Sequence, residues 1–148
     1  IVIDDAYNAN PDSVRAALSV LKEFDSPRKI VITPGLVELG KEQNKENEIM
    51  GKEISNAADY LIIVGKTNKE SLKKGFLSIK TTNFNNYSSS EARSSLPIKS
   101  GSNNKTFISK NVRLFECRNL KEATNKLQKI IVPQSVILFE NDLPDQYL

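Results

Sequence analysis

The chain has 148 residues and a formal charge of +3, with 39% hydrophobic and 26% charged residues, a single cysteine and no histidine. That length suits one domain burying about two-thirds of its unfolded surface without staples. The missing histidine removes a His-ligated zinc site, a Ser-His-Asp triad and a Cys-His pair, and the lone Cys117 removes an intrachain disulfide. No apolar run approaches the ~18 residues of a spanning helix and no signal-peptide pattern opens the chain, so a soluble, cytoplasmic setting is expected. Five basic residues (Lys80, Arg93, Lys99, Lys105, Lys110) against one acid, Glu91, place the excess charge between residues 78 and 111. The rest carries nearly equal numbers of both signs, without the basic face and interleaved aromatics of a nucleic-acid surface.

In chain order, Ile1 to Ile3 make a short β-branched run suited to a buried parallel strand, and Val14, Ala17, Leu18, Leu21 and Phe24 then recur at helical spacing. Asn10 is a favoured N-cap, Pro11 fits the first helical position, and Asp12 complements the helix dipole. A second strand spans Lys29 to Thr33 and is stopped by Pro34 and Gly35. A loop, "LVELG", leads into a helix over about Glu42 to Ala57 with a thin apolar stripe of Ile49, Met50, Ile54 and Ala57. Its "KEQNKENE" run is read as a solvated face.

Tyr60 to Val64 is an all-apolar third strand, and "NKESLKKGF" a short helix carrying Leu72 and Phe76. From about residue 78 to 110, Asn and Ser dominate and apolar residues are sparse, which predicts a disordered insertion. "VRLFEC" is a fourth strand, "NLKEATNKLQKII" a helix, and "SVILFEND" a fifth strand. Alternation of this kind predicts an α/β fold, Rossmann-like, with a mostly parallel sheet, right-handed crossovers and helices on both faces. Ligands then bind beyond the carboxyl ends of the strands, which is where the polar run after Ile3 lies. Neither G-x-G-x-x-G nor a P-loop is present, so the fold by itself supports no nucleotide site.

Three stretches, "IDDAYNANPDSVRAAL", "ITPGLVELG" and "VILFENDLPDQY", together resemble the carboxy-terminal domain of the Mur ligase family. The first is most similar to ligases that add D-alanyl-D-alanine to UDP-N-acetylmuramoyl-tripeptide. The resemblance covers nearly all of residues 1–148 as a single such domain, apart from about 78–110. It implies an ATP-dependent amide-bond-forming ligase of peptidoglycan precursor synthesis, whose amino-terminal domain holds the UDP-sugar and whose central P-loop domain holds ATP and Mg²⁺. The third domain closes over both, covering the nucleotide and helping to place the incoming amine. The chain starts inside a strand and without methionine, so it is expected to be a piece of a longer protein and inactive alone. Its partners would be the other two domains, the UDP-muramoyl-peptide and an amino-acid or dipeptide substrate, with no nucleic acid and no membrane.

The family's acidic position at the end of the first strand falls on Asp5, where the resemblance implies hydrogen bonds from the ribose hydroxyls of ATP. Tyr7, Asn8 and Asn10 fall in the stretch implied to face nucleotide and substrate. Each has a plainer reading: Asp4 and Asp5 alternate across the strand and only one faces the crevice, Asn10 is an N-cap, and Tyr7 packs on the helix behind it. Glu38 bridges to a neighbouring loop, and Cys117 is a buried small hydrophobe. No catalytic nucleophile and no metal ligand is expected in this chain.

The family's Lys-Gly-Ser-Arg type stretch after the last strand is replaced by "ENDLPD", and a helix position that usually presents histidine holds Asn47. Both departures border the acceptor site and leave the amine substrate open. A folylpolyglutamate-type ligase domain, or a non-catalytic Rossmann-like interaction domain, are the alternative readings.

Overall fold

The computed structural model describes residues 1–6, 9–84, 95–98, 106–109 and 113–141, with side chains of the third helix described to Ser78. The apolar runs become β1 (Val2–Asp5), β2 (Lys29–Thr33), β3 (Tyr60–Val64), β6 (Leu114–Cys117) and β7 (Val136–Glu140), joined by α1 (Pro11–Glu23), α2 (Gln43–Ala57), α3 (Lys69–Phe84) and α4 (Leu120–Ile130). A 3₁₀ turn at Gly40–Glu42 leads into α2. The five strands form one parallel sheet in the order β1-β7-β2-β3-β6, with β7 inserted between the first two strands.

Burial alternates across this sheet as the pleat requires. Val31, Leu61, Ile63, Val136 and Leu138 face one way, into a core shared with Val14, Leu18 and Leu21 of α1, Met50 and Ile54 of α2 and Leu72 and Phe76 of α3. Ile30, Ile32, Tyr60, Ile62, Val64, Cys117 and Ile137 face the other, where α4 packs through Ala123. Helices thus cover both faces, as the alternating pattern predicts.

α2 and α3 approach closely because each has a glycine at the contact. A Cβ on Gly51 would overlap the carbonyl oxygen of Leu72, and one on Gly75 that of Glu48. The seam is closed at its rim by Lys74 and Lys52, both paired with Glu48.

Two parts of the structure depart from the sequence reading. α3 continues to Phe84, and inside the stretch expected to be disordered Ser95–Ile98 (β4) and Thr106–Ser109 (β5) pair antiparallel, Leu96 opposite Ile108 and Pro97 opposite Phe107. Two four-residue runs suffice for a ladder although the surrounding composition is polar; the remainder of that stretch lies outside the described residues. The "KEQNKENE" run is also more than a solvated face, since Asn47 is fully buried and Glu48 belongs to the α2–α3 rim.

Candidate functional site

The carboxyl ends of β1, β7 and β2 lie side by side, and loops lead from β1 into α1 and from β2 towards α2. The first loop enters α1 through a capping box. Asn10 Oδ1 accepts from Asp12 N (3.0 Å) and Ser13 N (3.1 Å), and Ser13 Oγ accepts from Asn10 N (2.9 Å). The cap satisfies N–H groups that the helix itself leaves unbonded, which is the structural role expected of this residue. Among the described residues, its side-chain oxygen is engaged in this way. Tyr7 and Asn8 lie outside the described residues.

The second loop, Pro34 to Leu36 after β2, is held by three asparagines from distant elements. Buried Asn47 of α2 accepts from Leu36 N (2.8 Å) and donates to Leu36 O (2.8 Å) and Gln43 O (2.8 Å). Asn68, before α3, donates to Pro34 O (3.1 Å), and Asn141, after β7, donates to Gly35 O (2.6 Å). Gly35 has φ +84°, and a Cβ there would collide with the side chains of Asn47 and Asn68, so glycine is required twice over. Sequence reasoning noted Asn47 only as a departure from the family pattern. Its signal was spacing: Asn47, Met50 and Ile54 share one helical face, which places the asparagine on the buried side.

Further along, Glu38 stands exposed with φ 63° and makes no ion pair with the described residues, so the expected bridge to a neighbouring loop is not formed there. Asn141, at the matching end of β7, has φ 66°. Left-handed non-glycine residues cost energy; of the three among the described residues, two stand beyond the carboxyl ends of β2 and β7 and one, Gln134, before β7 at the amino end.

Asp4 and Asp5 leave β1 on opposite faces. Asp4 is exposed, accepts from Ala6 N (3.2 Å), and lines an open groove of about 380 Å³ on the α4 side with Val2, Ala6, Ile32, Leu120 and Phe139. Asp5 is half-buried on the α1 side, where its strand partner is Glu140 of β7. The ladder continues past this pair with Asn141 N donating to Asp5 O at 3.2 Å.

Glu140 was not singled out from sequence. Its side chain is fully buried, and neither carboxyl oxygen has a hydrogen-bond partner among the described residues. Burial, with the charge of Asp5 adding to it, pushes its pKa up to about 8. Carboxylates elsewhere behave oppositely: Glu116 is held below the usual range by hydrogen bonds from Lys73 and Lys69, and Glu122 by its bonds with Arg118. Cys117, 4% exposed, has its thiol pushed up chiefly by burial, as a packing residue should. Among the described residues no three or more of His, Cys, Asp and Glu gather as a metal site, and no helix is long and apolar enough to cross a membrane.

The family described as "Mur ligase, glutamate ligase domain" matches residues 1–140. Solved structures of similar fold include MurF ligase from Thermotoga maritima in complex with ADP, with TM-score 0.62 and 17% identity over 95% of this chain and 24% of that one. A second crystal structure of MurF from Acinetobacter baumannii gives TM-score 0.63 and 23% identity over the same shares, and a first gives 0.57 and 22%. The chain therefore spans about a quarter of the length of these proteins. No curated protein matches the sequence.

Proposed function

This chain belongs to the Mur ligase family, and we propose that it is the carboxy-terminal part of an ATP-dependent amide-bond-forming ligase of peptidoglycan precursor synthesis. The observation that carries the reading is the family match over residues 1–140, which takes in β1 through β7 and the whole carboxyl edge of the sheet. The domain's work is positioning. It closes over ATP bound to a central domain, and helps to hold the incoming amine against the activated carboxylate of the UDP-muramoyl-peptide.

Asp5 is the residue assigned to the ribose. It ends β1 half-exposed, at the carboxyl edge of the sheet, and a carboxylate accepts from two hydroxyls at once. Tyr7, Asn8 and Asn10 are assigned to the same nucleotide-facing stretch. Asn10 would serve through its amide nitrogen, because its oxygen is occupied by the α1 cap. Mg²⁺ is assigned to the central domain with the phosphates, as the family resemblance implies. ADP in the Thermotoga MurF structure supports use of an adenine nucleotide in the family. The protein is proposed to work in the cytoplasm, with the other two domains and the muramoyl-peptide as partners.

The test is phosphate release by the complete protein with ATP and Mg²⁺, UDP-N-acetylmuramoyl-tripeptide and D-alanyl-D-alanine, each omitted in turn. Release that depends on every component, with amide product, is the expected result. Release only with a folate-type acceptor, or none with any acceptor, would contradict the assignment.

A further inference from the structure

Glu140 is the one described carboxylate that is both fully buried and without a hydrogen bond to any described residue at either oxygen. Directly beside it, on the same face of the sheet and about 5 Å away across the strand pair, Asp5 has no ion-pair partner among the described residues either. Buried polar groups in folded proteins are bonded almost without exception, so a pair of this kind at a ligand-binding edge calls for a ligand.

We propose that Asp5 and Glu140 form a binding site for a primary ammonium group, received between the ends of β1 and β7. The sign follows from the two acids and from the absence of any Lys or Arg paired with them among the described residues. Ammonium is the cation whose donors the pair can satisfy by itself. Mg²⁺ can be held by two carboxylates with waters filling its octahedron, so titration with MgCl₂ separates the two cations, whereas the three N–H donors of an ammonium are satisfied by two carboxylates without water. Asp5 retains lone pairs for a second donor, so this role is compatible with a ribose contact. Its register opposite Glu140 is fixed by the β1–β7 ladder and the Asn141 N to Asp5 O bond, so the pair is preorganised.

The ammonium comes either from an amine substrate or from a lysine of an adjoining domain; only the first source rests on the ligase reading. The probe is methylammonium chloride, titrated into the 148-residue chain at pH 8.5 while the side-chain carboxyl ¹³C resonances of Glu140 and Asp5 are followed. Tetramethylammonium chloride, which has the charge but no N–H donor, and MgCl₂ serve as controls at equal ionic strength. A saturable shift at Glu140 with methylammonium, at least tenfold weaker with tetramethylammonium, abolished in Glu140→Gln and weakened about tenfold in Asp5→Asn, is expected. Asp4→Asn, on the opposite face, should leave it unchanged. Equal responses to both ammonium salts, saturation by Mg²⁺ alone, or no saturable shift would overturn the proposal. Should Glu140→Gln fail to fold, Asp5→Asn decides, because that side chain is half-exposed. In the complete protein, a lysine source leaves Glu140 already shifted and deaf to methylammonium, whereas a substrate source keeps the response and lets the amine substrate compete. Loss of ATP-dependent ligation with binding intact would refute the ligase reading and leave the ammonium site standing.

Discussion

At the amino end of the sheet, polar groups are consumed by the fold. Ser26 Oγ donates to Gln134 O (2.8 Å), Ser135 Oγ accepts from Val132 N (3.0 Å) and donates to Val132 O (2.7 Å), and Asp59 accepts from Lys29 N (2.9 Å). Arg28 bonds Ile130 O while its guanidinium lies 5.2 Å from the centre of the Tyr60 ring, which Arg113 also approaches at 4.8 Å. At the carboxyl end of the same strands, Glu140 is buried with neither carboxyl oxygen bonded among the described residues, whereas left-handed non-glycine backbone occurs at both ends, at Gln134 before β7 and at Glu38 and Asn141 beyond β2 and β7. The two ends share strands, register and core, so the difference is not one of scaffold. Polar groups at the amino end close loops and seal strand starts; at the carboxyl end Asn47, Asn68 and Asn141 do the same for the loop after β2, and the exception is Glu140, whose burial costs stability and leaves its carboxyl open to a ligand.

The largest expected effect sharpens this contrast through pH. Glu140 titrates near 8 in the folded chain against about 4.5 when unfolded, so the native state keeps a proton that the unfolded state releases. Stability from this group is fully present below pH 4.5 and is lost as pH rises to 8, by about 5 kcal/mol. Glu140→Gln lacks that loss. Denaturant unfolding of the two proteins from pH 4.5 to 9 should show the variant gaining on the parent steadily and levelling near 8. Parallel curves would mean that the carboxyl is solvated.

Next comes Asn47→Ala, which leaves Leu36 N and O without their buried partner and should cost about 2 to 4 kcal/mol. A loss under 1 kcal/mol would mean that the loop after β2 is held by Asn68 and Asn141 instead. At the amino end, Ser135→Ala removes two short bonds to Val132 and should cost about 1 kcal/mol, with no pH dependence between 5 and 9. Pronounced pH dependence there would erase the distinction between the two ends.

How much of this was legible in the sequence depends on whether the cause is local. Ile30–Ile32 and Leu61–Val64 announce buried parallel strands by unbroken apolar runs, and Asn10-Pro11 announces the start of α1 by chemistry contained in four residues. The placing of Asp4 and Asp5 on opposite faces follows from the pleat alone. Glu140 was not legible, because its burial comes from the insertion of β7 between β1 and β2, and "LFEND" reads equally well as a strand emerging into water. The Gly51–Gly75 seam depends on two helices meeting, which neither glycine's neighbours reveal. The β4–β5 ribbon was masked by averaging, since "SLPI" and "TFIS" are apolar islands in a polar stretch.

Service of the nucleotide by the carboxyl edge of the sheet through Asp5 is tested most directly by one comparison in the complete enzyme: steady-state phosphate release with ATP varied, for Asp5→Asn against Asp4→Asn, alongside melting curves. Asp5→Asn keeps the side chain's shape but weakens charge-assisted bonds from the ribose, and should lower kcat/KM for ATP by about 10- to 150-fold, or roughly 1.5 to 3 kcal/mol, without unfolding the protein. Asp4→Asn, whose side chain faces the α4 groove, should leave kcat/KM within about twofold, because surface changes away from a site are nearly neutral. Equal losses in the two variants, or a loss from Asp4→Asn alone, would contradict the placing of Asp5 at the nucleotide.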